Sequence, residues 1–228
     1  MWKSFFQLFY ADTCHGCDRM LTSQERYICL RCLSQLQETQ DWLRPTDNEL
    51  YHRIGGRFHL HGAASLYHFD KGGRFQALMK QLKYHEAPQL GTHLGQVAGD
   101  ILLESRWFSR STVIVPVPLH PAKMRNRGYN QAACIAGGMA LKMGMRVEPN
   151  LIRRLRKTSV QAQQGALNRW DNMRNAFTLK GHPPKEVLLV DDVITTGSTI
   201  LGCVECLMNA SLPPTRISVF SLGMARTD

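Results

Sequence analysis

An α/β fold with a mostly parallel central sheet, flanked by helices and preceded by a small four-cysteine metal module, is what this sequence predicts. Three observations predict it. Strand-like and helix-like segments alternate from Ala63 onward, one apolar strand runs straight into a hydroxyl-rich glycine turn, and two CxxC pairs fall within the first 32 residues. Alternation of this kind builds parallel sheets covered on both faces, and such sheets bind ligands at the carboxyl ends of their strands.

Each element has its own warrant. Ala63 to Phe69 reads as a strand closed by the turn signal Asp70-Lys71-Gly72-Gly73. Arg74 to His85 sets Phe75, Leu78, Met79 and Leu82 at helical spacing, and Leu90 to Leu103 forms a second helix. Val113 to Val115 is a β-branched strand stopped by Pro116 and Pro118. Gln131 to Met143 is a helix of small residues. Val187 to Val190 is a buried strand, Ser198 to Asn209 a helix, and Ile217 to Leu222 the last strand. Residues 36–60 are polar, with Pro45, the Gly55-Gly56 pair and one weak helix, so they read as a connector. The expected organisation is a cysteine module over 1–40, a connector over 41–58 and an α/β domain over 59–228, with no internal repeat or low-complexity tract.

Composition narrows the function classes. Hydrophobic residues make up 43% of the 228 and charged residues 20%, as in soluble globular proteins. No apolar run approaches the ~18 residues that span a bilayer. Met1 to Tyr10 is interrupted by Lys3 and Gln7 and lacks a cleavage site, so the expected address is the cytoplasm. The net charge is +10, from 28 basic and 18 acidic residues. Four metal-bound thiolates would add −4 + 2, leaving about +8. That excess favours a polyanionic partner, either nucleic acid or a phosphorylated ligand.

The segment VLLVDDVITTGST, Val187 to Thr199, carries the most chemistry. Backbone N–H groups of a glycine-containing loop at a helix start cradle anions, and the hydroxyls of Thr195, Thr196, Ser198 and Thr199 add donors. Gly197 lets the backbone turn left-handed and approach a ligand, and Val193 is counted with this loop among the ribose 5-phosphate-binding residues. Asp191 and Asp192, just upstream, can accept hydrogen bonds from vicinal sugar hydroxyls. An ordinary capped turn accounts for one hydroxyl and one acid, not for the set. The GxxxxGK[ST] and GxGxxG loops are absent, which argues against a nucleoside triphosphatase or a dinucleotide enzyme.

Cys14-x2-Cys17 and Cys29-x2-Cys32, separated by 11 residues, offer four soft ligands that suit tetrahedral Zn²⁺. Four protein ligands leave no open position, so the site is structural. Arg19, Arg26 and Arg31 would offset its negative charge. Cys203 and Cys206, at i and i+3 within a helix, read instead as core thiols.

Pro116 to Ala132 gathers His120, Lys123, Arg125 and Arg127 into a basic loop ending at Gly128. Taken with the segments above, PVPLHxxKxRxRGYNQ resembles the competence protein F (ComF)/GntX-like family. Thr158, Gln161, Arg169, Asn172, Ala176-Phe177, Leu82-Lys83-Tyr84 and the four-cysteine ribbon belong to the same pattern. Gln164 stands where that family usually has Leu.

The phosphate-loop signature is that of phosphoribosyltransferases, so the resemblance implies a type I phosphoribosyltransferase fold. It also implies that Asp191 and Asp192 bind the ribose hydroxyls of phosphoribosyl pyrophosphate (PRPP), and that Thr195 to Thr199 bind its 5-phosphate. Mg²⁺ would bridge pyrophosphate and ribose, while Lys83, Arg125 and Arg127 contact pyrophosphate or a nucleic-acid backbone. Arg153 to Asn175 would form a hood over the site. The family resemblance further implies a role in natural transformation beside other DNA-uptake proteins, with single-stranded DNA as a partner. Trp2, Phe5, Phe6, Phe9 and Tyr10 could stack on such a strand. An active transferase with an unidentified acceptor is the alternative.

Overall fold

The computed structural model describes residues 12–56, 58–105, 107–108, 113–155 and 176–226. Five strands form the central sheet: β1 (Gly62–Phe69), β2 (Val113–Pro116), β3 (Arg146–Val147), β6 (Glu186–Ile194) and β7 (Arg216–Ala225). Their order is β1-β7-β6-β2-β3, and every neighbouring pair is parallel. The α/β expectation with a mostly parallel sheet therefore holds. Parallel neighbours need crossovers, and these are supplied by α3 (Arg74–Tyr84), α4 (Pro88–Leu103), α6 (Gln131–Met143) and α7 (Ser198–Met208).

Both faces are covered, which explains why β6 reads as an unbroken apolar run. Leu188 and Val190 join α3, α4 and α6 in one core, while Val187 and Leu189 join α7 and α2 (Glu49–Gly55) in the other. Cys14, Ile28, Cys29, Cys32 and Leu36 belong to the first core, beside Phe75 and Leu78 of α3. Cys32 lies on the short α1 (Leu30–Ser34), which Cys29 caps. Among the core thiols of α7, Cys203 is fully buried and Cys206 packs half-buried at the edge.

The segment between the cysteines and the sheet is fastened to β1. Buried Asp41 accepts hydrogen bonds from Ser65 N and Oγ at 3.0 and 2.9 Å. Asn48 caps α2 by accepting from Tyr51 N at 2.8 Å, and its Nδ2 donates to Ala63 O at 2.7 Å. Leu50 and Ile54 of α2 are fully buried.

Two expectations need correction. The strand anticipated over Val187 to Val190 runs on to Ile194, because parallel pairing with β7 continues as far as Ile194↔Met224. The basic segment is not all loop, since Pro121–Arg127 forms a helix, α5. Pro121 needs no N–H partner in the first turn, His120 Nδ1 accepts from Ala122 N at 3.2 Å, and left-handed Gly128 closes the end. The short β4 (Ile152–Arg154) and β5 (Phe177–Leu179), paired antiparallel, have no counterpart in the sequence reading. Arg153 and Arg154 lie on β4, whereas residues 156–175, with Thr158, Gln161, Gln164, Arg169 and Asn172, lie outside the described residues. So do Trp2, Phe5, Phe6, Phe9 and Tyr10. No helix of the described residues is long and apolar enough to cross a membrane.

Helices α4 and α6 touch backbone to backbone. A Cβ on Gly95 would stand 2.1 Å from Ile135 O, and one on Gly138 would stand 2.0 Å from Thr92 O. Gly138→Ala should therefore destabilise the protein by at least about 2 kcal/mol through overpacking. Gly137→Ala meets nothing within 4 Å and should stabilise by up to about 1 kcal/mol through helix propensity. Urea unfolding of the two variants reads the contrast.

Candidate functional site

Beyond β2 the chain crosses to β3, and beyond β6 it crosses to β7 on the other side, so β2 and β6 are neighbours whose connections diverge. In an open parallel sheet this switch point leaves a crevice at the carboxyl ends of the strands. Both segments singled out from the sequence arrive there: Asp191 to Thr199 from β6, and the basic residues of α5 from β2.

Consecutive strand residues face opposite sides of a sheet, and the two acids do so. Asp192 lies on the α3 side, its Oδ2 2.9 Å from Lys83 Nζ, and its Oδ1 accepts from Val193 N at 2.7 Å. Asp191 lies on the α7 side, where its Oδ1 accepts from Asp192 N at 2.9 Å. Burial, reinforced by the charge of Asp192, pushes the Asp191 carboxyl well above its ordinary range, and Lys83 only partly opposes this. Burial, with the nearby Asp191 charge, raises the Cys203 thiol as well.

Asp191 also lines a small concavity of about 40 Å³ with Val193, Thr195, Thr196, Gly197, Ser198 and Thr199. Gly197 has φ 75° and precedes the first turn of α7, so it offers no side-chain cap there. Thr196 Oγ1 and Ser198 Oγ are 2.8 Å apart across the turn. Hydroxyl-bearing residues thus line one concave spot at the start of a helix, where the backbone N–H groups of a first turn favour an anion. From beneath, the Arg53 guanidinium of α2 donates to the Thr195 carbonyl and pairs with Glu49.

A second cavity of about 420 Å³ adjoins Lys83 and is lined by Lys83, Tyr84, Glu86, Lys123, Asn126 and Arg127. The Arg127 guanidinium lies 5.5 Å from the centre of the Tyr84 ring and donates to Gln131 Oε1 at 3.0 Å. Tyr129 Oη donates to the Leu82 carbonyl, tying α3 to the start of α6. Helical spacing brings Lys123 and Arg127 to one side of α5. Arg125 does not line this cavity.

The four cysteines meet as their spacing predicts. The Sγ atoms of Cys14, Cys17, Cys29 and Cys32 all lie within 4.8 Å of one another, and Cys17 and Cys29 are 3.8 Å apart. A tetrahedral ion about 2.3 Å from each sulfur would space them about 3.8 Å apart, so the cluster is positioned to bind a metal. Backbone N–H groups of Gly16 and Cys29 point at Cys14 Sγ at 3.3 and 3.2 Å, as thiolate sulfur demands. Burial opposes ionisation of Cys29, but the Cys32 N–H and the neighbouring thiols prevail and lower it to about 6. A Cβ on Gly16 would stand 3.0 Å from Cys32 Sγ, so the knuckle takes its smallest residue where space is tightest.

No protein-family model matches this chain. Competence protein F of Haemophilus influenzae is 38% identical over 91 residues, covering 38% of this chain and 40% of that protein. DNA utilization protein YhgH of Salmonella typhimurium is 32% identical over 139 residues, covering 58% and 60%, and its Escherichia coli K12 counterpart is 29% identical over 138. Over the matched stretches, this chain is similar to proteins named for competence and DNA utilization. The matches span between 40% and 60% of these relatives' length.

In this chain, the structure brings Asp191, Asp192, Lys83, Arg127 and the Thr195–Thr199 loop to one end of the sheet, with Arg125 on the same helix α5. Sequence reading misses Arg53, whose contact spans 142 positions and leaves no local signature.

Burial of Asp191 has a stability consequence. The unfolded chain loses this proton near the ordinary carboxylate value of about 3.9, and the folded protein loses it at higher pH. Between those values the folded state holds more protons, so stability falls as pH rises. Asp191→Asn should match wild type at the acid end and exceed it increasingly toward neutral pH. Urea midpoints measured across that range would show the divergence.

Proposed function

We propose that this protein acts in DNA utilization of the competence type, through a site that binds a ribose 5-phosphate ligand such as PRPP. One observation carries the reading: at the sheet's switch point, a strand bearing Asp191 and Asp192 leads into the hydroxyl-lined Thr195–Thr199 cradle, beside a cationic cavity. The cradle takes the 5-phosphate, the carboxylates accept from the sugar hydroxyls, and Lys83 and Arg127 face the pyrophosphate. Lys83 exchanges its Asp192 partner for a phosphate oxygen when the ligand enters. Mg²⁺, carried in with the ligand, would supply charge that offsets the pyrophosphate beside Lys83 and Arg127.

The relatives' names, competence protein F and DNA utilization protein, support the cellular setting, and the +10 charge suits a nucleic-acid partner in the cytoplasm. Single-stranded DNA and other DNA-uptake proteins are the proposed partners. As the alternative, the site catalyses transfer to an unidentified acceptor, stabilising an oxocarbenium-like ribose C1.

Calorimetric titration of PRPP with Mg²⁺ tests the reading. Wild type should bind, and Asp191→Asn/Asp192→Asn should lose at least about a hundredfold in affinity, since losing two acceptors of roughly 1–3 kcal/mol each removes about 2 kcal/mol or more. A folded wild type that binds no PRPP would overturn it and turn attention to salt-dependent strand binding. For the cysteine cluster we propose structural zinc. Metal analysis should give one zinc per chain, lost in Cys14→Ser/Cys32→Ser.

A further inference from the structure

We infer that Arg53 is the positioning residue of the phosphate loop, an inference that rests on the ligand reading above but reaches a segment it does not involve. Arg53 lies in the stretch read from sequence as a connector, yet its side chain is only 11% exposed and its guanidinium spans two partners. One N–H group donates to the Thr195 carbonyl, at the point where β6 gives way to the turn, and another engages Glu49. Glu49 precedes it by four residues on α2, so the helix itself presets the guanidinium.

The next residue completes the support. Ile54 Cγ1 would stand 3.5 Å from a Cβ on left-handed Gly197, so α2 packs under the turn as well as bonding to it. The helix is in turn anchored to β1 by Asn48 Nδ2 on the Ala63 carbonyl at 2.7 Å. A carbonyl held by a cation cannot rotate, and the orientation of Thr195 sets where the N–H groups of the following residues point. The same fixed cation lies beneath a cradle meant for a dianion, so it offsets charge without touching the ligand. The exchange Arg53→Lys would retain the charge but not the fork that bonds two partners.

The test compares wild type, Arg53→Ala and Arg53→Lys by two readouts. Hydrogen exchange reads the loop without any ligand. Arg53→Ala should speed exchange over 195–200 by about tenfold or more, with α6 unchanged and Arg53→Lys intermediate. Equal loop exchange in wild type and Arg53→Ala overturns the inference, as does an equal rise in α6, which would mean general loosening. Titration of ribose 5-phosphate should then weaken by about tenfold in Arg53→Ala, the cost of one charge-assisted hydrogen bond, with partial recovery in Arg53→Lys. Failure of wild type to bind ribose 5-phosphate would sink the ligand reading, while loop exchange would still decide the role of Arg53.

Discussion

Strand β6 is hydrogen-bonded along both edges, to β2 on one side and β7 on the other, and its register sets where Asp191, Asp192 and the turn that follows emerge. Val190 is held opposite Pro116 and Phe220, and Asp191 opposite Ser221. A slip by one residue would exchange the two faces, sending Leu188 and Val190 toward α7 and moving Asp192 away from Lys83. Two separate cores enforce this register, because alternate residues of the same strand are buried in each. Hydrophobic packing thus determines the positions of the charges.

Those charges work against the packing. Two adjacent carboxylates at the end of a buried strand resist desolvation and repel each other, which is why the Asp191 carboxyl is pushed above its ordinary range. Lys83 offsets the cost at Asp192. Asp191 gains part of its compensation from the backbone N–H of Asp192.

Legibility follows locality. The Val187–Thr199 segment is readable because strand, acids, hydroxyls and glycine are contiguous, and the cysteine cluster because CxxC spacing is itself the geometry. Helix α5 is hidden because Pro121 and Gly128 act as breakers in sequence, whereas in place they are its first turn and its stop. Strands β4 and β5 pair over only three positions each, too few for periodicity to register. Arg53 is invisible because its partner is distant in sequence and the residues around it look like polar linker. The grouping of Lys123 with Arg127, rather than Arg125, needs the helical phase of α5, which no loop reading supplies.

The strand order has a consequence for how the chain is made. Strands β1 and β6 share no edge, since β7, the last strand to be synthesised, lies between them. Until β7 pairs, β1 stands alone and β6 is the open parallel edge of the three strands β6, β2 and β3. Closing the sheet joins residues more than 150 positions apart, as in the pairing of Gly62 with Ser218. Contacts so distant in sequence fold slowly, and open edges invite foreign strands. Pairing of β7 is therefore the step that covers both edges and brings β1, with α2 packed on it, into one sheet with the strand that carries Asp191 and Asp192.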